Sequence, residues 1–188
     1  VNNSIIGNIT GDFIGNTASS AGGAIYNAYN STISNITGDF IGNTGGAIYN
    51  GGSTIGNITG DFIGNIFSSQ GGAIFNGSGT IGNITGDFIG NTSSASSAAG
   101  GAIYNYGNST IRNITGNFIG NTSSSPGGVI YNDGNSKIGN ITGDFIGNSA
   151  SSAGGAIYNC NSSIIGDITG DFIGNTSSSS SSSSPGGA

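Results

Sequence analysis

Carboxylates are the first side chains here that could do chemistry, because they recur at one position of a repeated phrase. Seven copies of an eleven-residue phrase, Ile-x-Asn-Ile-Thr-Gly-Asp-Phe-Ile-Gly-Asn, run through the chain with two substitutions. The acidic position of this phrase is occupied by Asp12, Asp39, Asp61, Asp87, Asn117, Asp144 and Asp171. Hard oxygen ligands at a regular spacing suit Ca²⁺. The Gly-Gly-x-Gly-x-Asp phrase of calcium-binding β-rolls is absent, however. We therefore interpret the column as solvated carboxylates beside turns, and we expect no metal and no cofactor.

The residues needed for the common catalytic arrangements are missing. The sequence has neither His nor Glu, and its single cysteine is Cys160. A cysteine or serine nucleophile needs a partner base, which is usually histidine. The aspartates form one monotonous line instead of a clustered acid and base. We predict that the chain is not an enzyme and that Cys160 is incidental.

Asparagine recurs at three positions of each repeat. Two of these positions do not vary, and the third, at Asn8, becomes Asp167 in the last copy. We interpret them as ladders of stacked side-chain amides that also cap turns. The alternative is N-glycosylation, because Asn8-Ile9-Thr10 and its copies fit Asn-x-Thr. The ladder that closes the first phrase is predicted at Asn16, Asn43, Asn65, Asn91, Asn121, Asn148 and Asn175.

An aromatic residue recurs in a second phrase, Gly-Gly-Ala-Ile-Tyr-Asn. Its positions are Tyr26, Tyr49, Phe75, Tyr104, Tyr131 and Tyr158. If these rings point outward, they form a stripe suited to carbohydrate or protein contact. If they point inward, they are core, and the sequence leaves both alternatives open. A third column, of threonines beginning at Thr10, is similar to the hydroxyl arrays of ice-binding solenoids, although paired threonines are missing.

The length of the repeat predicts the structural elements that position these columns. A phenylalanine marks each copy, at Phe13, Phe40, Phe62, Phe88, Phe118, Phe145 and Phe172. Self-similarity at such a period is typical of solenoids, in which ladders of like residues stabilise stacked coils. We predict an all-β fold, a right-handed parallel β-helix (β-solenoid) of about seven coils of 22–30 residues, with one coil per repeat.

Three short strands per coil are predicted: Ile-x-Asn-Ile, Asp-Phe-Ile and Ala-Ile-Tyr. Alternation places Ile9, Phe13 and Ile25 inside, and places Thr10, Asp12, Ala24 and Tyr26 outside. Length variation gathers at one Ser-rich corner, as a solenoid allows. The inserts there are Thr17–Ala21, Thr44 alone, Ile66–Gln70, Thr92–Ala99, Thr122–Pro126, Ser149–Ala153 and Thr176–Pro185.

Composition limits the possible partners. Among 188 residues there are 39 glycines, eight aspartates and only two cations, for a net charge of −6. Such a chain cannot neutralise phosphates, so we expect no nucleic-acid partner. No apolar run reaches the length of a membrane span. We divide the chain into a repeat array at 1–175, a Ser-rich loop or linker at 176–185 and the start of a further repeat at 186–188.

The paired tetrapeptides Gly-Gly-Ala-Ile and Phe-x-x-Asn are specific, as at Gly22–Ile25 and Phe13–Asn16. This pairing resembles the repeats of the chlamydial polymorphic outer-membrane proteins and of similar autotransporter-type bacterial surface proteins. The resemblance implies an extracellular or surface-displayed β-helical passenger, on the bacterial outer surface, that acts as an adhesin or a structural stalk. Its expected partner is a host or cell-surface protein or a glycan. A filament subunit that stacks end to end as a homo-oligomer is the alternative, and an ice-binding solenoid is a remote one.

Overall fold

The chain forms an all-β parallel β-solenoid of about six turns, with about 27 residues in each turn. The structure is a computed structural model, and it describes residues 3–94 and 100–178. Those ranges contain no helix. The predicted fold class is thereby confirmed, and the right-handed winding stays a prediction. Residues 95–99 of one insert, most of the Ser-rich segment 176–185 and the start of a further repeat at 186–188 lie outside the described residues.

Twenty-eight short strands build the described turns. In chain order they are β1 (Ile5–Ile6), β2 (Ile9–Thr10), β3 (Phe13–Ile14), β4 (Ile25–Ala28), β5 (Thr32–Thr37), β6 (Phe40–Ile41), β7 (Ile48–Gly51), β8 (Thr54–Thr59), β9 (Phe62–Ile63), β10 (Ile66–Phe67), β11 (Ile74–Gly77), β12 (Thr80–Thr85), β13 (Phe88–Ile89), β14 (Thr92–Ser93), β15 (Ile103–Tyr106), β16 (Thr110–Thr115), β17 (Phe118–Ile119), β18 (Thr122–Ser123), β19 (Ile130–Asp133), β20 (Lys137–Ile138), β21 (Ile141–Thr142), β22 (Phe145–Ile146), β23 (Ser149–Ala150), β24 (Ile157–Asn159), β25 (Ile164–Ile165), β26 (Ile168–Thr169), β27 (Phe172–Ile173) and β28 (Thr176–Ser177).

Four parallel sheets run along the solenoid. Sheet I contains β1, β2, β5, β8, β12, β16, β20, β21, β25 and β26, and sheet II contains the seven Phe-Ile strands from β3 to β27. Sheet III contains β10, β14, β18, β23 and β28, and sheet IV contains β4, β7, β11, β15, β19 and β24. Every pairing joins equivalent residues of adjacent turns; Phe88, for example, pairs with Phe62 and with Phe118. Equivalent residues therefore form continuous columns.

Sheet III is a correction to the three strands predicted per coil. Its strands occupy the first two residues of the inserts, such as Ile66–Phe67 and Thr92–Ser93. Isolated bridges from Thr17 to Thr44 and from Thr44 to Ile66 extend the same pairing. These pairs range from identical residues, such as Thr92 and Thr122, to unlike ones, such as Ile66 and Thr92. Both kinds are possible because backbone groups alone make a parallel ladder. The insert begins with a fourth strand, and only the residues after it vary in length.

The core lies inside the four sheets and consists of isoleucine and phenylalanine columns. The predicted inward positions are confirmed in the middle turns, where Ile58, Phe62 and Ile74 are completely buried. The outward position of Ala24 was wrong, because Ala24 packs against the core and its equivalent Ala73 is completely buried. The backbone explains this error. The N–H groups of Ala47 and Ile48 both donate to the Ala73 carbonyl, at 2.9 and 3.0 Å, so the chain bends and the alternation restarts there.

Buried asparagines join the turns at two corners. Asn65 donates from both its backbone N–H and its Nδ2 to Oδ1 of Asn91, each at 3.0 Å. The same Nδ2 donates to the Phe40 carbonyl of the preceding turn, at 2.8 Å. This pattern repeats along the column that begins at Asn16. In the column that begins at Asn27, each Nδ2 donates to Oδ1 of the next asparagine at 2.8 Å. Both columns satisfy polar groups that the corners bury.

Candidate contact surfaces

The aromatic column lies on the outer face of sheet IV. In β7, Ile48 and Asn50 are buried while Tyr49 between them is half-buried, and this alternation turns the ring away from the core. Phe75, Tyr104 and Tyr131 form a hydrophobic cluster separate from the main core. We call Tyr26, Tyr49, Phe75, Tyr104, Tyr131 and Tyr158 the aromatic stripe. The stripe is uneven, because Tyr26 is 54% exposed whereas Tyr104 is only 7% exposed.

The residue two positions after each ring determines how the rings pack. A Cβ added at Gly77 would lie 2.4 Å from the Phe75 ring, so that ring extends across the glycine. Tyr26 and Tyr49 stack with their planes 3° apart, beside Ala28 and Gly51. Tyr106 follows Tyr104 where the earlier turns have Ala or Gly, and there the Phe75–Tyr104 planes open to 64°. Glycine therefore leaves room for stacked rings, and a second tyrosine forces them apart.

A shallow groove of about 320 Å³ runs along the exposed part of the stripe. Its aromatic lining is Tyr26, Tyr29, Tyr49, Phe75 and Tyr106. A polar groove of about 210 Å³ lies beside it and shares its Gly52 and Ser78 lining. Asparagine, serine and threonine supply the polar lining, and both grooves are lined by uncharged residues. We call the first the aromatic groove and the second the polar groove.

The sequence interpretation missed Tyr29 and Tyr106 as lining residues. Both are exposed, at 62% and 45%, and both lie within two residues of the end of the second phrase. Tyr106 could have been found, because residues two apart on a strand share a face and Tyr104 was already a candidate. Tyr29 could not, since it has a positive φ of 63° at a turn that strand alternation does not describe.

Cys160 lies beside the buried end of the stripe instead of standing alone. Its Sγ lies 3.4 Å from Oδ1 of Asp133 and 3.9 Å from the Tyr131 hydroxyl, and Asn161 Nδ2 donates to the same Asp133 oxygen at 2.6 Å. Burial, followed by the hydrogen bond to Asp133, raises the pKa of the Cys160 thiol to about 11. Burial likewise raises the pKa of Tyr104 and of Tyr131 above its usual range. These groups are protonated at neutral pH, so the thiol is a poor nucleophile.

The aspartate column forms its own ladder on the outer edge of sheet II. Oδ1 of Asp61 accepts the Asp87 backbone N–H at 2.8 Å, and Oδ1 of Asp87 accepts that of Asn117 at 2.7 Å. Asn117 continues the ladder, because its Oδ1 accepts the Asp144 N–H at 3.0 Å. Within residues 3–94 and 100–178, no three acidic, histidine or cysteine side chains are grouped as a metal site would require.

The threonine column and the Asn-x-Thr phrases are also on the outside. Every threonine of the column from Thr10 to Thr169 is exposed. The first asparagine of each phrase is exposed or half-buried. Its ladder bonds join neighbouring turns singly, as the Asn83 N–H donates to Oδ1 of Asn57 in the preceding turn at 2.9 Å. Glycosylation and ice binding both stay untested predictions.

The described part of the chain contains no helix long and apolar enough to cross a membrane.

The fold and its columns define the class: a tandem-repeat parallel β-solenoid. More specifically, the family model of the Chlamydia polymorphic membrane protein repeat matches residues 4–28 and 143–160. Both segments carry the Phe-x-x-Asn and Gly-Gly-Ala-Ile phrases, so the resemblance noted from the sequence is confirmed. Repeats of this family belong to outer-membrane and surface autotransporter proteins, and they are generally non-catalytic. A search of curated proteins found no match. A search of solved structures found none either.

Proposed function

We propose that this chain is part of the surface-displayed passenger of an autotransporter-type protein and that it acts as an adhesin. The observation that carries the proposal is the match of two segments to a repeat that is typical of surface passengers, on a chain that folds as a β-solenoid. A rod of stacked turns holds its side faces away from the cell and presents one residue type along a line. Such a surface suits contact better than catalysis.

The contact region in this proposal is the aromatic groove together with the polar groove. Tyrosine combines a large apolar ring with a hydroxyl and loses little entropy on binding. The rings of Tyr26, Tyr29 and Tyr106 remain partly open to solvent. The uncharged linings favour a neutral partner, such as a glycan or an uncharged protein surface. The buried Tyr104 ring packs against the Tyr106 ring, with their centres 5.5 Å apart.

The test is attachment of the displayed rod to host or abiotic surfaces. Tyr29→Ala with Tyr106→Ala should reduce attachment about tenfold, which is typical for removing central interface tyrosines. Thr85→Ala with Thr115→Ala on sheet I is the matched control and should leave attachment unchanged. Equal attachment by both double variants would contradict the groove as the contact site. If the unmodified rod attaches to nothing, the stalk function is favoured over the adhesin.

End-to-end association of copies is a second candidate function. Every strand pairing between turns joins equivalent residues, as Phe88 does with Phe62 and with Phe118. A turn from a second copy would extend every ladder, in the way that open sheet edges pair. Electron microscopy over a concentration series tests this association. Filaments that lengthen with concentration support it, and separate rods at all concentrations contradict it.

A further inference from the structure

The outer face of sheet II carries a column of isoleucines beside the column of carboxylates. Asp, Phe and Ile follow one another in six of the seven repeats, and Asn117 replaces the aspartate in the other. The phenylalanine is buried in the middle turns, so the residues on either side of it share the outer side. The isoleucines in the middle turns are half-buried, while Ile14 and Ile173 are exposed. We call the two columns the Asp–Ile face. The isoleucine column comprises Ile14, Ile41, Ile63, Ile89, Ile119, Ile146 and Ile173.

The isoleucine column is open on the side away from the aspartates. The next residue in each repeat is a glycine with a positive φ near 60°, as at Gly64 and Gly90. A Cβ added at either glycine would meet nothing within 4 Å. The isoleucines therefore form an apolar ridge between a line of glycines and a line of carboxylates, and a partner can approach the ridge without obstruction.

Most of the negative charge of the chain lies on this face. Six of the eight aspartates belong to the column, namely Asp12, Asp39, Asp61, Asp87, Asp144 and Asp171. The phenylalanine rings of the same strands are 4.5 to 5.3 Å apart, which shows how closely the carboxylates repeat. The ladder bonds use Oδ1 of each carboxylate, as at Asp61 and Asp87. Oδ2 is left for an outside donor.

The charge pattern decides which partner fits. A second copy of this chain offers only Arg112 and Lys137, which both lie on sheet I. Covering six carboxylates with such a surface would bury unpaired charge, which is costly. Anionic lipid and nucleic acid would be repelled. An apolar ridge beside an acidic line instead matches a partner that has an apolar face edged with cations.

We propose that the Asp–Ile face docks a basic amphipathic helix of another protein, laid along the solenoid axis. Its apolar side chains cover the isoleucine ridge, and its lysines or arginines line the aspartate column. A helix advances about 5.4 Å per turn, close to the 4.5 to 5.3 Å separation of the ring pairs along sheet II. Over several turns, one basic residue per helical turn therefore meets about one carboxylate per solenoid turn. This surface is distinct from the aromatic groove.

The test uses a synthetic amphipathic helical peptide of leucine and lysine, with a scrambled peptide of the same composition as its control. Asp61→Asn with Asp87→Asn should weaken binding about fivefold. The natural Asn117 shows that asparagine keeps the ladder bond, so this variant should fold. Asp133→Asn with Asp167→Asn removes the same charge away from the face and should change binding less than twofold.

A further double variant tests the isoleucine ridge itself. Ile63→Ser with Ile89→Ser keeps every charge and should weaken peptide binding about tenfold, because two apolar contacts are lost. Added salt should weaken binding by the unmodified chain. The proposal would be overturned if the two aspartate double variants lost peptide binding equally. It would also be overturned if the isoleucine double variant lost none, or if the scrambled peptide bound equally well.

Discussion

Two glycines of each repeat, four residues apart, have opposite surroundings. Gly86 has φ of +150°, and a Cβ added there would lie 2.0 Å from the carbonyl oxygen of Gly60 in the preceding turn. Gly90 has φ of +61°, and a Cβ there would meet nothing within 4 Å. At the first position the turns approach too closely for any side chain, whereas at the second only the backbone conformation favours glycine.

Gly86→Ala should therefore be far more destabilising than Gly90→Ala. The first change forces adjacent turns apart and should cost about 4 kcal/mol or more, whereas the second should cost about 1 kcal/mol for the left-handed conformation. Urea unfolding of the two variants measures the difference. Similar midpoints for both would show that the turns can separate at Gly86 without loss of packing.

The asparagine columns also contain buried and exposed members, and we expect their contributions to stability to differ. Asn91 is completely buried, and its side chain accepts two bonds from Asn65 and donates to Phe62 and Asn121. Asn91→Ala leaves several of these buried groups unpaired and should cost about 3 kcal/mol or more. The matched change Asn57→Ala removes one exposed acceptor, which water replaces, and should cost less than about 1 kcal/mol.

Thermal or urea unfolding compares these two asparagine variants. A large loss for Asn91→Ala alone supports the buried column as a main source of cohesion between turns. Comparable small losses for both would mean that the surrounding strands hold the turns without it.

At the scale of elements, the side chains clustered on the outer face of sheet IV make the stability of the fold depend on pH. The pKa of the Cys160 thiol rises from its ordinary value of 9.0 to about 11 on folding, mainly through burial. The unfolded chain then releases this proton at lower pH than the folded chain does. The free energy of unfolding should fall as pH rises from about 9 to about 11, and Tyr104 and Tyr131 add a loss of the same sign above pH about 10.

Two measurements check this pH dependence. The rate of Cys160 alkylation should increase with pH toward about 11 instead of levelling off near 9. Urea unfolding over the same pH range should show a shallower decline for Cys160→Ala than for the unmodified chain. Parallel declines in the two proteins would contradict the role of the thiol.

The sequence predicted those elements whose side chains repeat. The isoleucine and phenylalanine columns of sheets I, II and IV follow directly from the period, because identical residues must stack. Sheet III was missed, because its strands vary from Ile66–Phe67 to Ser149–Ala150 instead of repeating one pair of residues. The facing of Ala24 was also missed, because a bend between Ala and Ile resets the alternation.

The candidate site was less predictable than the fold. Its aromatic positions were evident, but the exposure of each ring was not. Tyr49 and Phe75 both have a glycine two positions on, yet Tyr49 is half-buried and Phe75 is buried. The family resemblance indicated a surface protein, and it carried no information about which turn is open.

At the scale of the whole molecule, register is the main requirement for folding. Deleting residues 62–87 removes one whole turn and joins Asp61 to Phe88. The aspartate is then again followed directly by a phenylalanine, as in the natural repeats. The shortened chain should fold with somewhat lower stability, because each turn contacts only its neighbours. Deleting residues 62–74 removes part of a turn and should prevent folding of the array. Circular dichroism and urea unfolding distinguish these outcomes.

The direction of the hydrogen bonds has a mechanical consequence. The ladders of all four sheets and of both buried asparagine columns join one turn to the next, so they run along the rod. A tether pulling on one end would therefore concentrate the force on the few bonds of the terminal strand, so the outermost turn would peel away first. Each peeled turn of about 27 residues releases slack of roughly 90 Å. Under shear, such a rod would lengthen in a series of steps of similar size, and each step would absorb work.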